Sequence, residues 1–219
     1  MKVQINVPDS LEDITLEQYQ KFEKLNTKEN KDSSFLLQKM IEIFCNLNLK
    51  DVANIKFNSV QEITKHLNKV FDVKTELTST FKLNGLSFGF IPDLDNITLG
   101  EYIDLDTYLG DWPNMHKAMN ALYRPITVKN NDRYNIEDYK ETDNSELLKD
   151  MPLNIAMGSL VFFWNLNSEL LQITLNYLNQ ETKKMSLEQR QVLEENGGGI
   201  HLSMDSLKKM LPSLIRLPN

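Results

Sequence analysis

Three histidines, His66, His116 and His201, a single cysteine, Cys45, and the carboxylates Glu101, Asp104 and Asp106 are the residues of this 219-residue chain whose types could do chemistry. A histidine beside a Ser or Cys nucleophile would do acyl transfer, but these three are scattered with no nucleophile motif around them. His116 has no second His, Cys or paired carboxylate at i+3 or i+4, where a helix would offer a metal its next ligand, so it reads as a surface or boundary residue. Cys45 has no His or basic neighbour in sequence to stabilise a thiolate and reads as a small core or boundary residue. The three carboxylates crowd the first turns of an expected helix, where the helix dipole favours negative charge, and that explains them without a glycosidase pair or a metal site. Gly197, Gly198 and Gly199 have no following Gly-Lys-Ser/Thr and no preceding strand, which removes a phosphate loop and leaves a flexible hinge. Lys117, Arg124 and Lys129 lack the interleaved aromatics of a nucleic-acid binder. The expectation is therefore no catalytic, cofactor-binding or metal-binding residue, with a small hydrolase assembled in space as the distant alternative.

The elements that must position these residues are organised around 91–125. There Thr98 and Glu101 have the spacing of a capping box, with Ile97 and Tyr102 placed as a hydrophobic staple across it. Thr15, Gln18, Ile14 and Tyr19 repeat the device: LEDITLEQYQKFEKL at 11–25 matches LDNITLGEYIDLDTY at 94–108, and each follows an apolar-Pro-Asp step. Both read as corners into capped helices. Leu99, Tyr102, Ile103, Leu105, Tyr108 and Leu109 are expected to form a wide apolar face on the second of them.

Elsewhere, residues 2–7 alternate Val3, Ile5 and Val7 with polar neighbours and predict a strand. Helical spacing predicts a helix from Phe35 to Leu47, opened by Asp32 or Ser33, and another opened by Ser59 with Glu62. Alternation over 77–91, interrupted by Asn84-Gly85, predicts a type I′ hairpin, with the N-terminal strand as its third partner. Trp112-Pro113 turns the chain into a helix carrying Met115, Ala118, Met119 and Leu122; Arg124-Pro125 ends it, ahead of a short strand at 126–128. Residues 129–150 are acidic and poor in periodicity except for Tyr134, Ile136 and Tyr139, and read as a long loop or arm, or as a binding segment that orders on a partner. The apolar residues of 151–177 predict a long helix, central to the core or, as the less favoured alternative, lying across an interface, and Ser186 with Gln189 predict a further capped one.

The fold class expected is mainly α with a small antiparallel β-sheet: a helical body over 1–195 and a glycine-hinged tail over 196–219. At 41% hydrophobic the chain can bury a real core, and no apolar run reaches the ~18 residues of a membrane span. One cysteine rules out an internal disulfide, and a net charge of −7 disfavours nucleic acid and anionic membranes as partners. The residues expected to meet partners are Tyr134 and Tyr139 in the acidic arm and Leu211, Leu214, Ile215 and Leu217 in the tail.

Three segments, ITLGEYIDLDTYL, WPNMHKAMNALYRPI and MPLNIAMGSLVFFWNL, give the chain a resemblance to the small structural and assembly proteins of tailed bacteriophages. It resembles in particular those of crAss-like phages of gut Bacteroidetes, and it is also similar to the helical tail-assembly chaperones of long-tailed phages. The similar region is 94–178. The resemblance implies a non-enzymatic role without cofactor, either as a ring-forming virion component of the portal, neck or tail, or as a chaperone that shields tail proteins before assembly. A homo-oligomeric ring and other phage structural proteins are the partners implied, and the virion, or the host cytoplasm during assembly, the location.

Overall fold

In the computed structural model, residues 5–30, 33–131, 133–140 and 144–184 are described. They form a mainly α protein with one small antiparallel sheet. The helices are α1 (Leu16–Glu23), α2 (Ser34–Phe44), α3 (Leu49–Ala53), α4 (Phe57–Phe71), α5 (Leu99–Tyr108), α6 (Met115–Leu122) and α7 (Leu153–Lys184). The strands are β1 (Thr80–Leu83), β2 (Leu86–Phe90), β3 (Tyr123–Asn130) and β4 (Arg133–Ile136), in the order β1-β2-β3-β4. By internal packing the chain divides after Phe162.

Local chemistry explains most starts and turns. Ser33 Oγ accepts from Leu36 N–H to open α2, and Asn48 Oδ1 from Asp51 N–H to open α3. In the β1–β2 hairpin Asn84 and Gly85 take φ of +49° and +81°, the two positive values a two-residue type I′ turn needs, and Leu83 pairs with Leu86. One start differs from expectation: α4 begins at Phe57, with Lys56 as an N-cap that makes no side-chain bond, so Ser59 and Glu62 lie inside the helix.

Among the described residues the third strand is β3 and not residues 5–7 of the strand expected over 2–7, whose residues 2–4 lie outside the described residues. Residues 5–8 carry no strand; Ile5 and Val7 instead pack on Ile41, Cys45 and Val52. That edge of the hairpin is taken by β3, because α6 passes directly into Tyr123, which pairs with Phe90 while Pro125 pairs with Phe88. The arm expected over 129–150 is also partly regular: β4 pairs with β3 past an irregularity between Ile126 and Val128, and a 3₁₀ turn, Leu147–Asp150, buries Leu148. Alternation in β4 is too short for a periodicity signal; its register comes from pairing with β3.

Two aromatic groups form the core up to Phe162. Tyr19, Phe22, Phe44, Phe71 and Trp112 join α1, α2, α4 and the turn before α6, with Tyr19 edge-on to Trp112 at 4.6 Å between ring centres. Under the sheet, Phe81 stacks on Phe88, and Tyr123 meets Phe81 and Phe90 edge-on. The first turns of α7 cover that face: Phe162 meets Phe90, and Ser159 shares a 3.0 Å hydrogen bond with the Tyr123 hydroxyl. The start of α7 is also laced to the start of α1, where Leu16 N–H donates to Met151 O and Leu153 N–H to Ile14 O.

The core-helix expectation for α7 holds only for its beginning. Leu153, Ile155, Ala156 and Met157 are buried, whereas from Phe163 on Trp164, Leu170, Ile173 and Tyr177 are exposed. None of the helices of the described residues is long and apolar enough to cross a membrane.

Candidate functional site

The two capped corners form as expected, and in both the side chain at the third helical position turns inward. Gln18 Oε1 accepts from Thr15 N–H at 2.9 Å and Glu101 Oε2 from Thr98 N–H at 2.6 Å, while each threonine hydroxyl accepts the return bond. Their surroundings then diverge. On α1 the matching positions Leu16 and Tyr19 are fully covered; on α5 Leu99, Tyr102 and Ile103 stand 73%, 56% and 51% exposed. Of the apolar face expected on α5, Leu99, Tyr102 and Ile103 face outward while Leu105 is buried, and two of the three carboxylates expected merely to satisfy the helix dipole, Glu101 and Asp104, are buried.

The reason lies in what arrives beneath α5. It packs on α6, and the chain leaves α6 through Tyr123 and Arg124. Arg124 Nη1 meets Glu101 Oε1 at 2.5 Å, with 9% and 5% of the two side chains exposed. Tyr139 closes the group: its hydroxyl donates to Asp104 Oδ2 at 2.5 Å, and its ring lies 5.9 Å from the Arg124 guanidinium. Burial alone would raise the Glu101 carboxyl, but the hydrogen bonds from Thr98 and Arg124 and the Arg124 charge outweigh it and hold the group below the usual carboxylate range. Asp106 is left exposed on the outer face. A charged edge that finds a cation and a phenol goes in, and an apolar edge that finds no partner stays out.

The structure places Tyr134 and Tyr139, the residues of the arm expected to meet partners, in hydrogen bonds with their own chain. The Tyr134 hydroxyl shares its one proton between Phe90 O at 2.9 Å and Ser79 O at 3.1 Å, and its ring lies over Gly89, where any Cβ would collide with it. Leu211, Leu214, Ile215 and Leu217, the glycine hinge, the helix expected at 186–195 and His201 all lie outside the described residues.

The histidines are placed apart in function. His116 is buried, not at the surface: Gln20 Nε2 donates to its Nδ1 at 3.1 Å, which puts the proton on Nε2, 3.7 Å from Glu146 Oε1. Burial first, and then the Lys149 charge, lower its pKa, against an opposing pull from Glu146. His66 Nε2 sits 3.0 Å from Pro8 O and 3.3 Å from Asp9 Oδ1, fastening the N-terminal segment to α4. Cys45 is buried at the C-terminal cap of α2, and burial pushes its thiol up to about 11, away from reactivity. No group of three or more His, Cys, Asp or Glu among the described residues is arranged to hold a metal ion.

A second surface lies between α2 and α4. It is an open groove of about 480 Å³, with Leu37, Phe57 and Val60 as its apolar lining and Lys65 and Lys69 farther along α4. Phe57 is 69% exposed. Helical spacing alone had not marked this groove, because Phe57 precedes the residues taken to open α4. Comparison with models of protein families, with curated proteins and with solved structures gave no match for the chain.

Proposed function

We propose that this chain is a non-enzymatic structural protein of a tailed-bacteriophage virion, a ring-forming component of the portal, neck or tail assembly that acts through contacts with its own copies and with other phage structural proteins. The observation that carries the reading is the outward apolar edge of α5: Leu99, Tyr102 and Ile103 are large, contiguous and exposed on a helix whose charged edge is buried. Exposed apolar residues grouped in this way mark interaction sites on a folded protein. A ring asks each copy to give one surface and receive another, and α5 and the α2–α4 groove are two such surfaces.

The second reading is a tail-assembly chaperone that is not retained in the particle. Leu170, Ile173 and Tyr177, exposed at helical spacing along α7, would suit the shielding of another protein's apolar surface. Mass spectrometry of purified particles separates the two: abundant peptides of this chain support the virion component, and their absence with the chain plentiful in infected cells supports the chaperone. A purified chain that turned over a substrate, and lost turnover on changing one side chain, would overturn both.

A further inference from the structure

The two corners at Thr15 and Thr98 share a sequence, a capping box and an inward polar residue, so each serves as a control for the other. On α1, Leu16 and Tyr19 are covered from outside the helix: Phe71 and Trp112 lie against the Tyr19 ring, and α2 packs along α1. On α5 the matching residues, Leu99 and Tyr102, have no such cover among the described residues, and Ile103 and Asp106 extend the bare face to the positions i, i+3, i+4 and i+7. That is the spacing by which a helix anchors in a groove.

We infer that α5 of one copy docks in the α2–α4 groove of the next. The groove's Leu37, Phe57 and Val60 offer an apolar seat for Leu99, Tyr102 and Ile103. Charge fits the same way round. The face of α5 ends in exposed Asp106 and is preceded by exposed Asp93 and Asp95, while the groove presents exposed Lys65 and Lys69, with Asp72 as the one acidic residue in its lining. Apolar anchors supply the attraction, and the rim charges set register and reject like-charged alternatives. Both surfaces belong to the body before Phe162, and α5 is fastened there through Glu101 and Arg124, so its own groove is not the one it fills. The contact joins two different surfaces and is heterologous, so each added copy leaves one of each free, and the series closes into a ring if the rotation permits. This inference rests on the ring reading and gives it a specific interface.

The test uses the full chain and its mass in solution by sedimentation or native mass spectrometry. Ile103→Asp on the α5 face and Phe57→Asp in the groove each weaken association by at least about thirtyfold, the loss typical of an anchor residue. Leu99→Asp does the same and places an acid at the first helical position, where the dipole favours it, so the fold is kept. Far-UV circular dichroism of each variant matches the parent. The decisive result comes on mixing: Ile103→Asp retains a good groove and Phe57→Asp a good α5, so equal amounts form a 1:1 dimer and nothing larger. Reversing the groove with Lys65→Glu and Lys69→Glu weakens self-association, and adding Asp106→Lys to the same chain restores it. If the parent assembles and all three single variants keep its mass, the docking is wrong while a ring through other surfaces survives. If the variants fall apart but their mixture does not pair, the interface is not heterologous and the inference is lost. A parent chain that stays monomeric at every concentration overturns the ring reading together with the docking.

Discussion

Glu101 and Arg124 come from a helix start and a strand start 23 positions apart and meet at 2.5 Å, each nearly sealed from solvent. The Glu101 carboxylate also closes the capping box on Thr98 N–H, so one side chain sets both where α5 begins and which way it faces. Together with the Tyr139–Asp104 bond, that pair keeps Leu99, Tyr102 and Ile103 turned away from the core.

Removing one member of such a pair strands the other charge. Glu101→Leu and Arg124→Met are each expected to lower unfolding free energy by about 3–5 kcal/mol, and the two combined by clearly less than the sum, since two apolar groups leave no buried ion. Urea unfolding of the four chains gives the comparison. Additive losses would show that the two residues act separately.

The pH dependence has a definite sign. Glu101 has a lowered carboxyl pKa in the folded chain, so the unfolded chain binds the proton more readily. Its stabilisation is present above the unfolded carboxylate pKa and is lost as pH falls through the folded one. His116 also has a lowered pKa, through burial and then Lys149, with Lys117 and Lys24 adding and Glu146 opposing. Its neutral form is the folded one, so stability is full above the unfolded histidine value and falls as pH drops below it. His116→Gln is expected to flatten the stability curve between about pH 7.5 and 5.5, around the ordinary histidine pKa, and to leave the more acidic fall unchanged. A curve of unaltered slope in that window would remove His116 as its source.

How much of this was legible depends on whether the signal was local. Thr15 with Gln18, Thr98 with Glu101, and Asn84-Gly85 are short-range devices whose hydrogen bonds or φ values close within four residues, and each stands where the spacing placed it. The direction α5 faces was not local: it depends on Arg124 and Tyr139, which reach it only through α6, β3 and the segment after β4. An apolar count on α5 points Leu99, Tyr102 and Ile103 inward, and two buried carboxylates with partners outweigh it. The strand expected over 2–7 failed at its described residues 5–7 for a related reason, since alternation says that one face is covered and not by what.

Gly158 offers a case in which helix propensity and packing oppose each other. In an exposed helix interior Gly→Ala stabilises by about 1 kcal/mol. Here a Cβ would run into the carbonyl of Glu76, a backbone atom with no rotamer to give way. Gly158→Ala is expected to destabilise, by about 1–3 kcal/mol as overpacking does, with the loss appearing where α7 approaches the residues ahead of β1. A thermal midpoint at or above the parent's would mean that this stretch yields freely.

Tyr139 tests whether the segment after β4 is fastened by its hydroxyl or by its ring. Tyr139→Phe keeps the ring over Arg124 and removes the donor to Asp104, leaving a buried carboxylate oxygen short of a partner; Tyr139→Leu removes both. The loss from Tyr139→Phe is expected to be about 1–3 kcal/mol, the penalty for an unmet buried acceptor, and Tyr139→Leu should add a smaller decrement. Global unfolding alone would not locate the effect. The amide of Glu137 does, because it donates to Pro125 O at 3.0 Å, two residues before Tyr139, and reports whether the segment still lies against β3. Its hydrogen exchange should accelerate in Tyr139→Phe, while the Phe90 amide, which donates to Ser79 O across the first hairpin, keeps its parent rate. Equal acceleration at both amides would point to general loosening instead, and the hydroxyl would then have no special part in holding the inner edge of α5.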